Sequence, residues 1–328
     1  MKPVWKDFDE TFTSAEPYKY SIGAYNEDIV FDGVAVPKPN TNQISIRISD
    51  FAKNIVNSNV DIDFEDGVGY RLKDYCKDIL LLNKDGRIEM SWWFYNSYDY
   101  NNQFNIKDDV TNVITNPITT FATGGYVLLT FFVGYSANED EITITNLDTN
   151  RDNIVDWLIQ YGDAQVICIK PTEPGTYVVT TSEFGEIFRF VVEDKCVKYN
   201  LHYQNAAGGY DTLSIDGRKD KRTDNLTFEY YKSKGNNRNW NTPQMNKFKV
   251  DITPKWELQT GWLNDEQSKK MYNLFTSQKV WLEDIDEGTF TPVYITNNAV
   301  EYKTFTNNGR KKYNYSISVT SANTLIKL

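Results

Sequence analysis

Few residues in the sequence could support acid-base or nucleophilic catalysis. The chain has one histidine, His202, in the strand-like segment KYNLHYQN, so a Ser-His-Asp or Cys-His arrangement would have to include it. The GxSxG motif of α/β-hydrolases does not occur in the sequence. We therefore interpret His202 as an ordinary strand residue, and we predict that the protein is not an enzyme and has no catalytic residues.

A calcium site is the second chemistry that the residue types suggest. Residues 148–152 (DTNRD) resemble the start of a calcium-binding loop, which needs a glycine and, later, a bidentate glutamate. Asn153 and Ile159 occupy those two positions here. We therefore predict a loop followed by a short helix over residues 154–161, with no metal or other cofactor.

Pairs of carboxylates suggest a third chemistry, glycoside hydrolysis, which uses two carboxyl groups about 5 to 9.5 Å apart. Asp61 and Asp63 form one such pair, and residues 283–287 (EDIDE) contain several acidic side chains. Because the chain has 45 acidic residues, neighbouring carboxylates arise by chance. We interpret both groups as solvated acidic surface, and a glycan-degrading enzyme is the less favoured hypothesis.

The three cysteines, Cys76, Cys168 and Cys196, are widely separated and form no CxxC pair. Such spacing supports neither a disulfide framework nor a zinc site. Free cysteine is among the most buried residue types, so we predict three reduced thiols in the core.

Aromatic residues are dense in residues 91–95 (SWWFY), which Tyr98 and Tyr100 follow. Exposed aromatic rings can stack on sugar rings. Consecutive strand residues point to opposite faces, so one set must lie in the core and the other is available to a ligand or a subunit. Binding of a carbohydrate or receptor is therefore an alternative function.

The formal net charge of −10 and the sequence pI near 4.8 repel phosphate backbones, so we expect no direct nucleic-acid binding. Residues 218–222 (RKDKR), with Lys232, Lys234 and Arg238, are basic in this acidic chain. A contact with an acidic neighbouring subunit is favoured over phosphate binding for this stretch.

No membrane insertion is expected. Residues 1–10 contain three acidic side chains and no apolar run of the kind found in secretion signals. The longest apolar segment, residues 126–135 (YVLLTFFVGY), is too short to span a bilayer as a helix.

The elements that position these residues are predicted to be mostly strands, because aromatic residues make up 15% of the chain and fit half-buried strands. Lys84-Asp85-Gly86 supplies a positive-φ turn position and predicts a hairpin. Alternating or apolar runs bounded by turn residues predict strands over residues 28–36, 43–48, 79–82, 87–95, 127–134, 141–145, 164–170, 176–180, 186–192, 196–203, 210–215, 226–231, 279–284, 291–296, 300–305 and 312–320.

We predict a mainly β protein with two β-sandwich-like domains and one or two short helices. The first domain covers residues 1–195 and contains a long polar loop near 96–123, expected to be an extended arm that neighbouring subunits order. The second covers residues 196–328 and contains a helix near 264–278, which Asn264 caps.

Finer features of the second domain follow from the same patterns. The apolar face of the helix, which packs on the sheet, is predicted to consist of Leu263, Met271, Tyr272, Leu274 and Phe275. Asn297-Asn298 and Asn307-Asn308-Gly309 are predicted hairpin turns. The closing strand alternates with period two, which places Tyr313, Tyr315, Ile317 and Val319 on one face.

Two segments carry a resemblance to a known group of proteins. Residues 29–39 (IVFDGVAVPKP), which lead into residues 44–56, and residues 205–211 (NAAGGYD) resemble virion structural proteins of tailed phages of gut Bacteroidota, including the crAss-like group. The C-terminal half is similar to tail-hub, baseplate-adaptor and neck-ring domains. The similarity lies in the order of a short helix before Val280, a hairpin over residues 292–305 and a closing strand.

The resemblance implies a non-enzymatic structural component of a bacteriophage virion. It implies part of a symmetric ring in the tail, the tail hub or the head-tail neck, whose partners are other copies of the chain and other tail, neck or portal-proximal proteins. The expected localisation is the virion, after assembly in the bacterial host cytoplasm. A closed ring requires heterologous contacts, in which one face of a subunit meets a different face of the next.

Overall fold

A computed structural model describes the fold of residues 2–3, 9–24, 29–56, 62–72, 75–95, 111–115, 120–134, 140–149, 151–159, 164–182, 184–231, 245–297, 299–307, 310–323 and 325–327. These residues form 25 β-strands and two α-helices, mostly in antiparallel sheets. The predicted fold class is confirmed: the protein is mainly β, with β-sandwich-like packing and two short helices.

Sixteen of these strands and one helix precede residue 195. They are β1 (Lys2–Pro3), β2 (Asp9–Thr13), β3 (Tyr18–Ala24), β4 (Ile29–Ala35), β5 (Gln43–Arg47), α1 (Ile48–Ile55), β6 (Val68–Leu72), β7 (Cys76–Asn83), β8 (Ile88–Tyr95), β9 (Thr111–Val113), β10 (Thr120–Ala122), β11 (Val127–Val133), β12 (Asp140–Asn146), β13 (Arg151–Ile159), β14 (Ala164–Ile169), β15 (Gly175–Thr181) and β16 (Gly185–Glu193).

Nine strands and one helix follow residue 195. They are β17 (Tyr199–Gln204), β18 (Tyr210–Ile215), β19 (Lys219–Tyr231), β20 (Met245–Gln259), α2 (Asp265–Phe275), β21 (Val280–Asp284), β22 (Thr289–Ile295), β23 (Glu301–Asn307), β24 (Arg310–Ser321) and β25 (Leu325–Lys327).

Two compact units make up the chain. Unit 1 comprises residues 1–194 and 204–212, and unit 2 comprises residues 195–203 and 213–328. The sequence-based division after residue 195 differs from this one mainly at residues 204–212, which group with unit 1.

The first part of unit 1 contains a five-stranded sheet of order β1-β8-β7-β3-β4, the two-stranded sheet β2-β5 and the helix α1. Alternation along β5 buries Ile44 and Ile46 and exposes Gln43, Ser45 and Arg47. The two sheets and α1 share one core, whose buried members are Ile22, Ala24, Ile44, Ile46, Ile48, Ala52, Val56, Ile79, Leu81 and Phe94.

The predicted hairpin at Lys84-Asp85-Gly86 is confirmed. It joins β7 to β8, and Gly86 has a φ of +74°, which glycine adopts without strain. The side-chain oxygen of Asn83 accepts a hydrogen bond from the backbone N–H of Asp85 at 2.9 Å, which closes the turn.

The second part of unit 1 is a sandwich. One sheet has the order β10-β16-β15-β12-β13 and the other has the order β6-β14-β11-β9. Every residue of β11 is buried, so its continuous apolar run has apolar partners on both sides. The core shared by the two sheets comprises Phe121, Val127, Leu129, Phe131, Val133, Ile142, Ile144, Ile167, Ile169, Tyr177, Val179, Phe190 and Val192.

Residues 204–212 form a buried turn within unit 1, centred on Asn205. The Asn205 side-chain oxygen accepts hydrogen bonds from the N–H groups of Ala207 (2.9 Å) and Gly209 (3.1 Å). Its amide nitrogen donates to the carbonyl of Ile114 (2.7 Å) and to Asp211 (3.1 Å). Asn205 therefore uses both of its amide donors and accepts twice, so its buried side chain is fully hydrogen-bonded.

Unit 2 is built on a nine-stranded sheet of order β18-β17-β21-β22-β24-β20-β19, in which β23 also pairs with β24 and β25 with β20. The predicted face of the closing strand is confirmed. Tyr315, Ile317 and Val319 are buried, and Tyr313 is half-buried.

The predicted helix in unit 2 is confirmed as α2, which begins after its N-cap residue Asn264. Asn264 and Gln267 form a capping box, with two reciprocal hydrogen bonds of 2.9 Å. Met271 and Leu274 are buried, whereas Tyr272 is 62% exposed. The prediction that Tyr272 lies on the apolar face is therefore wrong, because the Tyr272 side chain points away from the helix face that buries Met271 and Leu274.

The helix predicted over residues 154–161 is wrong, because residues 151–159 form the strand β13. This strand pairs antiparallel with β12, from Asp140 opposite Ile159 to Asn146 opposite Arg151. Pairing with a strand that precedes it in the sequence outweighs the weak helical pattern.

The predicted hairpin turn at Asn297-Asn298 is also wrong. β22 and β23 both pair with β24, from Ile295 opposite Val319 to Glu301 opposite Ser316, rather than with each other. Between them, the side chain of Asn297 accepts from the N–H of Ser318 at 2.6 Å and donates to the carbonyl of Ser316 at 3.0 Å. The Asn297 side-chain amide thus makes hydrogen bonds to the backbone of β24 in place of a paired strand residue. The other predicted turn does connect a hairpin, since Asn307 pairs with Arg310.

Most of the polar loop predicted near residues 96–123, namely positions 96–110 and 116–119, lies outside the described residues. Its described parts correct the prediction of one long loop. Residues 111–113 form β9, which pairs with β11, and residues 120–122 form β10, which pairs with β16. Phe121 and Ala122 are buried, because they complete the sandwich core of unit 1.

Candidate functional site

His202 is a buried strand residue that pairs with a carboxylate. Its Nε2 lies 3.0 Å from Oε2 of Glu283, and the amide of Asn200 donates to the same oxygen at 2.8 Å. β17 contributes the histidine and the asparagine, and β21 contributes the glutamate. All three residues are at most 1% exposed, so no substrate reaches them. The arrangement can hold unit 2 together, and it presents no group at the surface.

The acidic residues 283–287 were predicted to form a solvated surface, and this is wrong for Glu283. Asp286 and Glu287 are exposed, and Lys198 lies 3.9 Å from Asp286. Glu283 is buried because β21 pairs with β17 and places it opposite Asn200, within hydrogen-bond distance of Asn200 and His202. Its hydrogen bonds offset the cost of burying a carboxylate.

The calcium-like segment closes a turn. The carboxylate of Asp148 accepts a hydrogen bond from the N–H of Thr176 at 2.9 Å, and the Asp148 N–H donates to the side chain of Asn146 at 3.0 Å. One carboxylate oxygen of Asp148 is therefore engaged in closing this turn. In the described part of the chain, no group of three or more His, Cys, Asp or Glu side chains could hold a metal ion.

Two of the three cysteines have the predicted location. Cys76 and Cys168 are buried free thiols, whereas Cys196 is an exposed free thiol. The core prediction is therefore wrong for Cys196, which lies in an irregular segment where Val197, rather than the cysteine, points inward.

The aromatic cluster at residues 91–95 is largely core. Phe94 and Tyr95 are buried, although they are consecutive in β8. Phe94 belongs to the core of the first sheet, and the ring of Tyr95 lies 6.3 Å from that of Tyr75. Trp93 is half-buried. The structure does not describe the side chain of Trp92, and Tyr98 and Tyr100 lie outside the described residues. The aromatic surface for a ligand or a subunit therefore stays a prediction.

The basic stretch at residues 218–222 is largely neutralised by acidic residues of the β19-β20 pair. Its ion pairs are Arg218 with Asp220 at 3.0 Å and Arg222 with Glu257 at 3.2 Å. On the same pair of strands, Lys255 lies 2.5 Å from Asp224. Lys221 lies over the ring of Trp256, 5.6 Å from its centroid. Lys232, Lys234 and Arg238 lie outside the described residues. Arg218, Lys221 and Arg222 therefore have local partners.

A second cationic surface lies on the β23-β24 hairpin, and the sequence did not predict it. We call it the hairpin face, and it consists of Trp262, Lys303, Phe305, Arg310 and Lys312. The rings of Trp262 and Phe305 lie 5.8 Å apart, and the two residues are 50% and 52% exposed. The signal that could have revealed it is the pairing of Phe305 with Lys312, which requires the register of the hairpin.

Aromatic residues also occupy the other side of this hairpin. The ring of Tyr302 lies 5.2 Å from that of Tyr315 and 5.6 Å from that of Tyr313. Ser268 of α2 hydrogen-bonds the Tyr315 hydroxyl at 2.6 Å, so α2 covers part of this side. Tyr302 remains 53% exposed.

Comparisons with known proteins define no family for the chain. No protein-family model matches the sequence, and no curated protein sequence matches it. Among solved structures, the FN1-FN3 domains of chicken CNTN1 align over 77% of this chain and 89% of that chain, with 10% identity and a TM-score of 0.19. Domains 1–6 of the surface layer protein SbsC align over 99% of this chain and 63% of that chain, with 10% identity and a TM-score of 0.13. Both scores are too low to indicate a shared fold.

Within the described residues, no helix is long and apolar enough to cross a membrane.

Proposed function

We propose that the protein is a non-enzymatic structural component of a bacteriophage virion, part of a symmetric ring in the tail, the tail hub or the neck. The resemblance of residues 29–39 and 205–211 to phage virion proteins supports the class. Other copies of the chain and neighbouring tail, neck or portal-proximal proteins are its partners, and the virion is its location.

The observation that carries the proposal is the exposure of large apolar side chains on sheet surfaces of both units. Phe31 and Val34 are 41% and 56% exposed on β4, which is at one end of its sheet order. In unit 2, Trp262, Tyr302 and Phe305 are each about half exposed. Exposed apolar side chains mark interaction sites where they cluster, as the rings of Trp262 and Phe305 do 5.8 Å apart. Strands at sheet edges add unpaired backbone groups.

The two resemblance segments themselves have structural roles, which fits a positional function. Gly33 lies opposite Tyr20, and a Cβ at position 33 would come within 2.6 Å of the Tyr20 ring. Asn205 and Gly209 build the buried turn of unit 1.

The test is the oligomeric state of the full chain and its presence in virions. The purified protein is expected to form rings visible by electron microscopy, and mass spectrometry is expected to find it in purified virions. Trp262→Ala should reduce assembly without unfolding the protein. Tyr272→Ala, which removes another exposed aromatic ring, on α2, serves as the control. A chain that is monomeric at all concentrations and absent from virions would refute the proposal.

A carbohydrate- or receptor-binding module is the second candidate, and the half-exposed ring pair of Trp262 and Phe305 favours it. Aromatic rings of this kind stack on the apolar faces of sugars. Glycan-array binding by the full chain, lost in both Trp262→Ala and Phe305→Ala, would favour this function. Absence of glycan binding by a chain that assembles into rings would favour the structural role.

A further inference from the structure

The charge of the protein is divided unequally between its two units. Unit 1 contains 15 Lys and Arg against 32 Asp and Glu, a formal charge of −17. Unit 2 contains 20 Lys and Arg against 13 Asp and Glu, a formal charge of +7. The net charge of −10 therefore conceals one strongly acidic and one basic unit.

This division favours one kind of contact between copies. Two copies that meet through the same unit place like charges together, which costs free energy. Two copies that meet through different units place opposite charges together and attract each other before contact. Charge alone therefore favours a contact between unlike units over a contact between like units, and such a contact builds a ring when it repeats head to tail.

The hairpin face is the part of unit 2 best suited to this contact. Residues opposite each other in an antiparallel pair share a face, as do alternate residues along one strand. Phe305 pairs with Lys312, and Asn307 pairs with Arg310, so Lys303, Arg310 and Lys312 surround Phe305 on one side. All three cations are exposed.

These cations differ from those on β19 and β20. Arg222 and Lys255 have carboxylate partners within 3.2 Å, on the strands that carry them. Within the described part of the chain, no carboxylate lies within ion-pair distance of Lys303, Arg310 or Lys312. Their charge is therefore available to another molecule, beside an apolar pair that can be buried on contact.

We propose that the hairpin face of one copy docks on the acidic unit 1 of a second copy, head to tail. This inference rests on the proposed function as a ring component and names the contact that closes the ring. The cations steer the approach and set the orientation, and Trp262 and Phe305 supply the apolar area of the contact. Exposed ion pairs contribute about 0.2 to 1 kcal/mol each, so several together are needed for a measurable effect.

The first experiment measures self-association of the full chain by analytical ultracentrifugation. The triple variant Lys303→Gln, Arg310→Gln, Lys312→Gln should weaken association about tenfold, which corresponds to roughly 1.4 kcal/mol. The control variant Lys221→Gln, Arg222→Gln, Lys269→Gln changes the net charge of unit 2 equally and should associate like the natural chain. Raising the salt from about 0.05 M to about 0.5 M should weaken the natural chain, because the Debye length shortens.

The second experiment identifies the two surfaces that meet. A zero-length carbodiimide reagent joins a lysine amine to a carboxylate in contact with it, and mixing ¹⁴N- and ¹⁵N-labelled chains marks links between copies. Links from Lys303 or Lys312 to carboxylates of unit 1 are expected. In addition, the triple hairpin variant, which self-associates weakly, should cap the natural chain, since its unit 1 is intact.

Several results would overturn this inference. They are normal assembly by the triple hairpin variant, links only to unit 2, and failure of that variant to cap the natural chain. Each of these leaves the proposed function standing if the natural chain forms rings and occurs in virions. A natural chain that neither assembles nor occurs in virions would remove both.

Discussion

The imidazole Nε2 of His202 lies 3.0 Å from Oε2 of Glu283, within the sheet of unit 2. Both side chains are at most 2% exposed. Removing one partner from a buried pair leaves a desolvated polar group, which costs about 3 to 5 kcal/mol. We therefore expect His202→Ala to lower the free energy of unfolding by that amount in denaturant titrations.

Two variants control this prediction. Glu287→Ala changes an exposed carboxylate four residues away and should stay within about 0.5 kcal/mol of the natural chain. Glu283→Gln keeps the shape and an acceptor oxygen, so it should cost less than His202→Ala. An equal and small effect of all three changes would show that the buried pair does not stabilise unit 2.

Helix α2 provides the second prediction, because a single short helix depends on packing for its stability. Leu274 is fully buried, so Leu274→Ala should cost about 2 to 5 kcal/mol. Lys269 is exposed on the same helix, and Lys269→Ala should change stability by less than about 0.5 kcal/mol. Thermal and denaturant unfolding measure both.

Phe275 refines that comparison. Its side chain is half-buried, and its ring lies 6.2 Å from that of Tyr315. Phe275→Ala should therefore cost less than the 3 to 5 kcal/mol usual for a fully buried aromatic ring. A larger loss than that of Leu274→Ala would show that the helix packs on a different face.

The buried turn of unit 1 provides the third prediction. A Cβ at Gly209 would lie 2.8 Å from the backbone oxygen of Ile114, and backbone cannot move aside as a flexible side chain can. Gly209→Ala should destabilise unit 1 by about 1 to 3 kcal/mol. Gly86→Ala is the informative comparison, since a Cβ there meets no atom within 4 Å and only the positive φ opposes it. Equal effects on unfolding would exclude overpacking as the cause.

Tyr75 provides a prediction about pH. Burial raises the pKa of its hydroxyl well above the usual value, and the hydroxyl donates to the carbonyl of Ala207 at 2.9 Å. The folded state therefore retains this proton above pH 10, where the unfolded chain releases it. The resulting stability is complete below the unfolded pKa of about 10 and is lost as the pH rises towards the folded pKa, by up to about 1.4 kcal/mol per pH unit.

Tyr75→Phe tests this contribution. The variant should be less stable at neutral pH, because the hydrogen bond to Ala207 is lost, and its stability should fall less steeply above pH 10. Unfolding titrations between pH 8 and pH 11 compare the two slopes. Identical slopes would mean that other tyrosines account for the alkaline loss.

Local patterns in the sequence were sufficient to predict many elements. The period-two alternation of residues 312–320 predicted the buried face of β24, because each strand side chain is oriented by its own position. Asn264 predicted the start of α2, since an N-cap interacts only with the first turn. Gly86 predicted the turn between β7 and β8, which depends on one backbone conformation.

The tertiary structure decided the features whose partners are distant in sequence. In the sequence, Glu283 resembles the exposed acidic residues that follow it. In the fold, the pairing of β17 with β21 places His202 beside it. Asn205 resembles a turn residue, but Ile114, which lies 91 positions earlier, accepts its hydrogen bond. The hairpin face exists because strand pairing places Lys312 beside Phe305. The sequence by itself determined what each residue prefers locally, and only folding determined which residues meet, because burial and pairing energies depend on neighbours that local periodicity does not encode.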